Sequence, residues 1–131
     1  MKVLIVDDDV FGADSLATLL TAAGHDVRVE AGARAGADAV VAWSPDLALL
    51  DLGLPHDGAY QVARRARAGP ATHGTRLVAL TKWGQPEDRR RAAEAGFDHH
   101  LVKPVDPVHL KVLLNSVASG THAPTGSASK G

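Results

Sequence analysis

Cysteine is absent from this chain, which excludes a disulfide framework and any thiolate-bound zinc. Aromatic residues make up only 4%, so aliphatic side chains and alanine have to fill the core. No stretch approaches the ~20 consecutive apolar residues of a membrane-spanning helix. The apolar run that starts at Val3 meets carboxylates at Asp7, too soon for a signal peptide. An excess of one charge is missing as well. The formal net charge is -1, which argues against a dominant nucleic-acid or membrane surface. The expectation is a soluble cytoplasmic domain with no direct nucleic-acid or membrane partner. With 131 residues, 45% of them hydrophobic, the chain suits one domain built on one core.

What is there alternates between two periods. Val3–Val6 is a short β-branched run and reads as a strand. From Phe11 to Ala23 the residues Leu16, Leu19, Leu20 and Ala23 fall at helical spacing, and Gly24 closes the helix. Asp26–Glu30 alternates as an edge strand does. Ala33–Trp43 is a helix with Ala33, Ala37, Val40 and Val41 inward, stopped at Ser44 and Pro45. The stretch Asp46–Pro55 is apolar up to Asp51 and then turns at Gly53 and Pro55. It reads as a strand buried on both faces that delivers one carboxylate to its end. Gly58–Arg67 is a helix with Ala59, Val62, Ala63 and Ala66 inward and its arginines mostly outward. Leu77–Leu80 is a strand followed by Thr81. Pro86–Ala95 is a helix with a thin alanine face. His99–Val102 is a strand followed by Lys103 and Pro104, and a last helix opens near Asp106 with Leu110, Leu113, Leu114 and Val117 inward. The segment 120–131 has no periodicity and reads as a disordered tail or linker remnant after a domain over 1–119.

Five strands alternating with helices give an α/β, doubly wound, five-stranded parallel sheet with right-handed crossovers. The flavodoxin-like order 2-1-3-4-5 sets the first and third strands side by side. Asp7, Asp8, Asp51, Thr81 and Lys103 then share the carboxyl edge of the sheet, where sites form in open α/β folds. Three carboxylates in one crevice need a cation. Oxygen donors at a partly hydrated site suit Mg²⁺ better than Zn²⁺. A carboxylate nucleophile, a metal, an ammonium and a hydroxyl are what phosphoryl transfer to an aspartate needs.

An acidic pair after the first strand, Asp51 with Pro55 four residues on, Thr81, and Lys103 with Pro104 together resemble the response-regulator receiver domain of two-component signalling, from about Lys2 to Ser119. The stretch from Thr81 to Arg91 is similar to receivers attached to hybrid sensor kinases. The resemblance implies that Asp51 accepts the phosphoryl group. Asp8 would then bind Mg²⁺ directly, Asp7 through water, and Gly53 through its backbone carbonyl. It implies that Thr81 and Lys103 engage the phosphoryl group and that the Lys103–Pro104 peptide is cis. It also implies a histidine kinase or phosphotransfer protein as donor and a downstream protein of unknown kind. The chain would be a monomer or a phosphorylation-dependent dimer. Such a protein is a switch that catalyses its own aspartyl phosphorylation and dephosphorylation, rather than an enzyme acting on a separate substrate.

Two positions depart from that family's usual pattern. Lys82 stands where a small residue is usual, and His100 stands where Tyr or Phe is common. An imidazole there adds the prospect of pH sensitivity. Other residues have plainer readings: Asp9 as a helix cap, the histidines as structural or exposed, Arg89–Arg91 as a solvated helix face, Trp83 as a residue bordering the site. Two other functions fit part of the pattern. One is an aspartate-nucleophile phosphohydrolase using Asp7, although Phe11 and the short chain oppose it. The other is a docking module of receiver fold that is never phosphorylated.

Overall fold

The computed structural model describes residues 1–82 and 84–119. The expected tail over 120–131 and the placement of Trp83 lie outside the described residues. The elements run β1 (Lys2–Val6), α1 (Val10–Ala22), β2 (Asp26–Glu30), α2 (Ala33–Trp43), β3 (Leu47–Asp51), α3 (Gly58–Ala68), β4 (Arg76–Thr81), α4 (Pro86–Glu94), β5 (His99–Val102) and α5 (Pro107–Ala118). A single 3-10 turn over Pro55–Asp57 precedes α3. The sheet is fully parallel, in the order β2-β1-β3-β4-β5.

Period-two alternation sorts the strands' side chains into two apolar layers. Leu4, Val6, Ala48, Leu50, Leu77 and Ala79 face α2, α3 and α4, where Val40, Val62, Ala63 and Ala92 meet them. Val3, Ile5, Leu47, Leu49, Val78 and Leu80 face α1 and α5, where Leu16, Leu20, Leu110 and Leu113 meet them. The central strand β3 is buried at every residue, which is why its sequence is unbroken by polar residues before Asp51. β2, at the sheet's edge, exposes Asp26, Arg28 and Val29. Its charges help keep the open edge from pairing with another chain.

The helix ends follow local chemistry. Asp9 caps α1 by accepting from the Gly12 N–H, and Asp106 caps α5 by accepting from the Val108 N–H. Gly24 and Gly96 leave α1 and α4 with φ of 95° and 98°, a region that residues with a Cβ rarely enter. Two expected inner faces are corrected. On α1 the buried residues are Ala13, Leu16 and Leu20, while Leu19 is 43% exposed and Ala23 is also exposed. On α2 the buried residues are Gly36, Ala39 and Val40, while Val41 is half exposed. In both cases the helix is rotated from the expected face, so that small residues, Ala13 on α1 and Gly36 and Ala39 on α2, join Leu16, Leu20 and Val40 against the sheet.

Arg67 departs from an outward reading of the α3 arginines. Its guanidinium donates to the Gly96, His73 and Thr75 carbonyls and to Asp98 Oδ2 at 2.6–3.2 Å. Asp98 Oδ2 also accepts from the Leu77 N–H at 2.9 Å. The cluster ties the end of α3 to the start of β4 and to the α4–β5 turn, at the sheet edge away from the acidic residues.

Candidate functional site

The carboxyl edge of the sheet collects the residues singled out in the sequence. Asp7 follows β1, Asp51 ends β3, Thr81 ends β4 and Lys103 follows β5. Asp7, Asp51 and Thr81 are 3%, 7% and 5% exposed, whereas Asp8 is exposed. Carboxylate oxygens of Asp7, Asp8 and Asp51 lie within 4.8 Å of one another. Burying like charges so closely is unfavourable unless a cation is present.

Lys103 supplies one. Its Nζ is 2.8 Å from Asp7 Oδ2 and 3.4 Å from Asp51 Oδ2. The strand pairing aims it there: the Lys103 N–H donates to the Thr81 carbonyl at 2.8 Å, continuing the β4–β5 ladder past the last β5 residue. The Lys103–Pro104 peptide that follows is cis, as the family resemblance implied.

Two backbone donors fix the carboxylates. The Asp9 N–H donates to Asp7 Oδ1 and the Gly53 N–H to Asp51 Oδ1, each at 2.9 Å. Asp51 is thereby held with Oδ1 on the loop and Oδ2 toward Lys103. A Cβ on residue 53 would sit 3.3 Å from Asp51 Oδ1, so glycine keeps the space beside the carboxylate open.

The electrostatics follow the burial. Burial pushes the Asp7 carboxyl above its ordinary range; Lys103 and the Asp9 N–H oppose this, and Asp51 adds to it. Burial alone would lower the Lys103 ammonium, but Asp7 and Asp51 outweigh it and hold its pKa above the usual value. One ammonium against three carboxylates leaves the pocket short of positive charge. Its donors are all oxygen, at a partly open edge. That set fits a hard divalent cation and, among the described residues, offers no imidazole or thiolate for a softer one.

The two unusual residues differ in setting. Lys82 is exposed beside the site. His100 shares the sheet face of Ala79, its register partner, on the α4 side. Neither of its buried ring nitrogens has a hydrogen-bond partner among the described residues. Burial lowers its pKa from 6.5; Arg89 adds to the shift and Asp88 opposes it. His56 is exposed, just past the acidic loop. Arg91 is not a merely solvated arginine, because it pairs with Asp57 at 2.9 Å and lies over the Tyr60 ring. Nothing in the local sequence marks that contact.

Comparison with known proteins matches this arrangement to one family. The family described as the response regulator receiver domain matches residues 3–115. The chain is 33% identical over 110 residues to an uncharacterised 14.6 kDa protein in the sodA1 3' region of Leptolyngbya boryana, covering 84% of each. It is 34% identical over 105 residues to the DNA-binding dual master transcriptional regulator RpaA of Synechocystis, covering 80% of this chain and 44% of that one. The chain thus spans less than half of that regulator's length. Among solved structures, a putative response regulator from Chloroflexus aurantiacus superposes with a TM-score of 0.83 at 30% identity, covering 90% of this chain and 97% of that one. The chemotaxis response regulator CheY4 of Vibrio cholerae superposes with a TM-score of 0.81 at 26% identity, covering 88% and 97%. With the family matched across both core layers and every element that bears the acidic pocket, this chain belongs to the response regulator receiver domains.

Proposed function

We propose that the chain is a phospho-accepting switch whose acceptor is Asp51. The observation that carries this is the pairing of one buried carboxylate, at the end of the most buried strand, with a Lys103 ammonium 3.4 Å away inside an acidic trio. The donor is a phosphohistidine on a histidine kinase or phosphotransfer protein. An Asp51 carboxylate oxygen bonds to phosphorus as the P–N bond breaks, and the donor imidazole leaves with the electron pair. The Gly53 N–H keeps the carboxylate plane fixed during the approach. The Lys103 ammonium balances charge that spreads over the phosphoryl oxygens, and the Thr81 hydroxyl donates to one of them.

Asp7, Asp8, Asp51 and the Gly53 carbonyl would hold Mg²⁺. Bound there, the ion neutralises phosphoryl charge and lowers the repulsion among the carboxylates. Water reaches the same site, so hydrolysis of the aspartyl phosphate resets the switch. The phosphohydrolase reading of Asp7 belongs to another family.

The phosphoryl group adds about -1.5 to -2 charges at Asp51. Thr81 and Lys103 turn toward it, and the β4–α4–β5–α5 face changes its affinity for a downstream protein by population shift. That face carries a groove of about 770 Å³ lined in part by Arg89, His100, Val102 and Val112. Val102 and Val112 expose apolar surface there, the kind of patch that marks a partner site. Residues 1–119 form the switching domain, and the protein acts in the cytoplasm.

The test is phosphoryl transfer from a phosphohistidine donor in the presence and absence of Mg²⁺. Wild type should take up the group only with the ion, and Asp51→Asn should not. Uptake by neither protein would favour a docking module that is never phosphorylated.

A further inference from the structure

α4 has little to hold it. Only Ala92 of its nine residues is buried. Its body is tied outward by Arg91, whose Nη2 is 2.9 Å from Asp57 Oδ2. The guanidinium carbon also lies 4.2 Å from the centroid of the Tyr60 ring. Tyr60 in turn meets Phe97, just after α4, edge to face at 5.9 Å. Among the described residues, no other ion pair joins α4 to another element, since Arg90 pairs with Glu87 within the helix. A planar cation that both stacks on a ring and pairs with a carboxylate sets the helix's position in two ways at once.

The far end of this contact is unusual. His56 and Asp57 both have left-handed backbones, with φ of 57° and 56°. Aspartate tolerates that region singly, but two consecutive non-glycine residues there are strained and persist only where their surroundings hold them. The segment that carries them begins at the acceptor. The Gly53 N–H donates to Asp51 Oδ1 at 2.9 Å, and the Leu54 N–H to the Asp51 carbonyl at 3.2 Å. Leu54 is anchored in the core, and Asp57 lies three residues further on. The loop is thus fastened at one end to the carboxylate and at the other to α4.

We propose that Arg91 is a latch that holds α4 against the strained Asp57 turn and couples the charge state of Asp51 to the position of α4 through the 53–57 loop. This rests on the reading of Asp51 as acceptor and adds a second connection to α4 beside Thr81. A phosphoryl group on Asp51 changes what the Gly53 N–H must donate to. The loop resettles, Asp57 leaves the left-handed region, and its carboxylate withdraws from Arg91. Coupling of this kind is reciprocal. If loading Asp51 loosens the latch, then loosening the latch makes Asp51 easier to load.

That reciprocity gives the experiment. Wild type, Arg91→Ala, Asp57→Asn, the double variant and Arg91→Lys are compared on two readouts. One is amide hydrogen exchange across α4 without any phosphoryl donor. The other is the beryllium fluoride concentration, with Mg²⁺, that half-loads Asp51. Asparagine tolerates the left-handed region as aspartate does, so Asp57→Asn removes the charge without altering the backbone preference. In Arg91→Ala, α4 exchange should rise and the half-loading concentration should fall, each about threefold, the size an exposed pair can carry. Asp57→Asn, which leaves the Tyr60 stacking in place, should show the smaller effect, the double variant should match Arg91→Ala rather than add to it, and Arg91→Lys should recover part of each effect. Unchanged α4 exchange, faster exchange with unchanged loading, or fully additive single effects would each overturn the latch while leaving the acceptor reading in place. Wild type that never loads would overturn both.

Discussion

Replacing Lys103 with methionine isolates the balance of charge on which the site depends. At an effective dielectric of about 20, an ammonium 2.8 Å from Asp7 and 3.4 Å from Asp51 contributes gross attractions of roughly 6 and 5 kcal/mol. The three carboxylates within 4.8 Å of one another repel by roughly 3.5 kcal/mol or more per pair on the same scale. Attraction and repulsion nearly cancel, so the ammonium is what makes the metal-free pocket tolerable. The full attraction is not the net loss when Lys103 goes, because the cost of burying the ammonium disappears with it. Removing one partner of a buried pair costs about 3–5 kcal/mol, which lowers the melting temperature by on the order of 10–20 °C. Asp7 is already held above the ordinary carboxylate range by burial, with Asp51 adding and Lys103 opposing. Without Lys103 it rises further, so the loss should shrink as pH falls and Asp7 becomes neutral. Mg²⁺ should stabilise the variant more than wild type, because it meets an uncompensated charge. Urea unfolding with and without Mg²⁺, near neutrality and at mildly acidic pH, reads all three effects. A metal-free variant within about 1 kcal/mol of wild type, or equal stabilisation of both by Mg²⁺, would refute the reasoning.

Other substitutions separate the site from its scaffold. Arg67→Met removes a guanidinium bonded to three carbonyls and to Asp98. It should cost about 2–3 kcal/mol in chemical denaturation and leave loading of Asp51 by a small phosphoryl donor unchanged. His100→Phe should raise stability by about 1 kcal/mol near neutrality, because two buried ring nitrogens without hydrogen-bond partners among the described residues are lost. It should also flatten the acid limb of the stability curve. The half-buried imidazole's pKa is lowered from 6.5, so the unfolded chain takes up its proton first. Stability from keeping His100 neutral is therefore present above 6.5 and declines as pH falls toward the folded value; a wild-type curve no steeper than the variant's there would count against this. Lys82→Ala removes an exposed cation beside the site and should change the lifetime of the aspartyl phosphate several-fold without moving the label from Asp51, as followed by phosphate release and peptide mapping.

The parallel sheet was legible because each strand is a short apolar run and each helix carries its own stop. Asp51 stood out because a carboxylate at the end of a run like Leu47–Leu50 has no structural reason to be there. The α1 and α2 faces were harder to read. Leu19 and Ala13 both lie at helical spacing from Leu16, and spacing alone does not decide which of them turns inward. Arg67 gave no signal because its partners are mostly backbone carbonyls, which every residue type presents. The left-handed pair His56–Asp57 was silent for a related reason: no glycine marks it, and what holds Asp57 is an arginine on a distant helix.

The most direct test of the central claim is to phosphorylate the protein from a phosphohistidine donor with Mg²⁺ and map the acid-labile group by mass spectrometry. The group should lie on Asp51 in wild type and be missing from the Asp51→Asn variant at matched donor concentration. A phosphoryl group on Asp7, or undiminished uptake by Asp51→Asn, would contradict the claim.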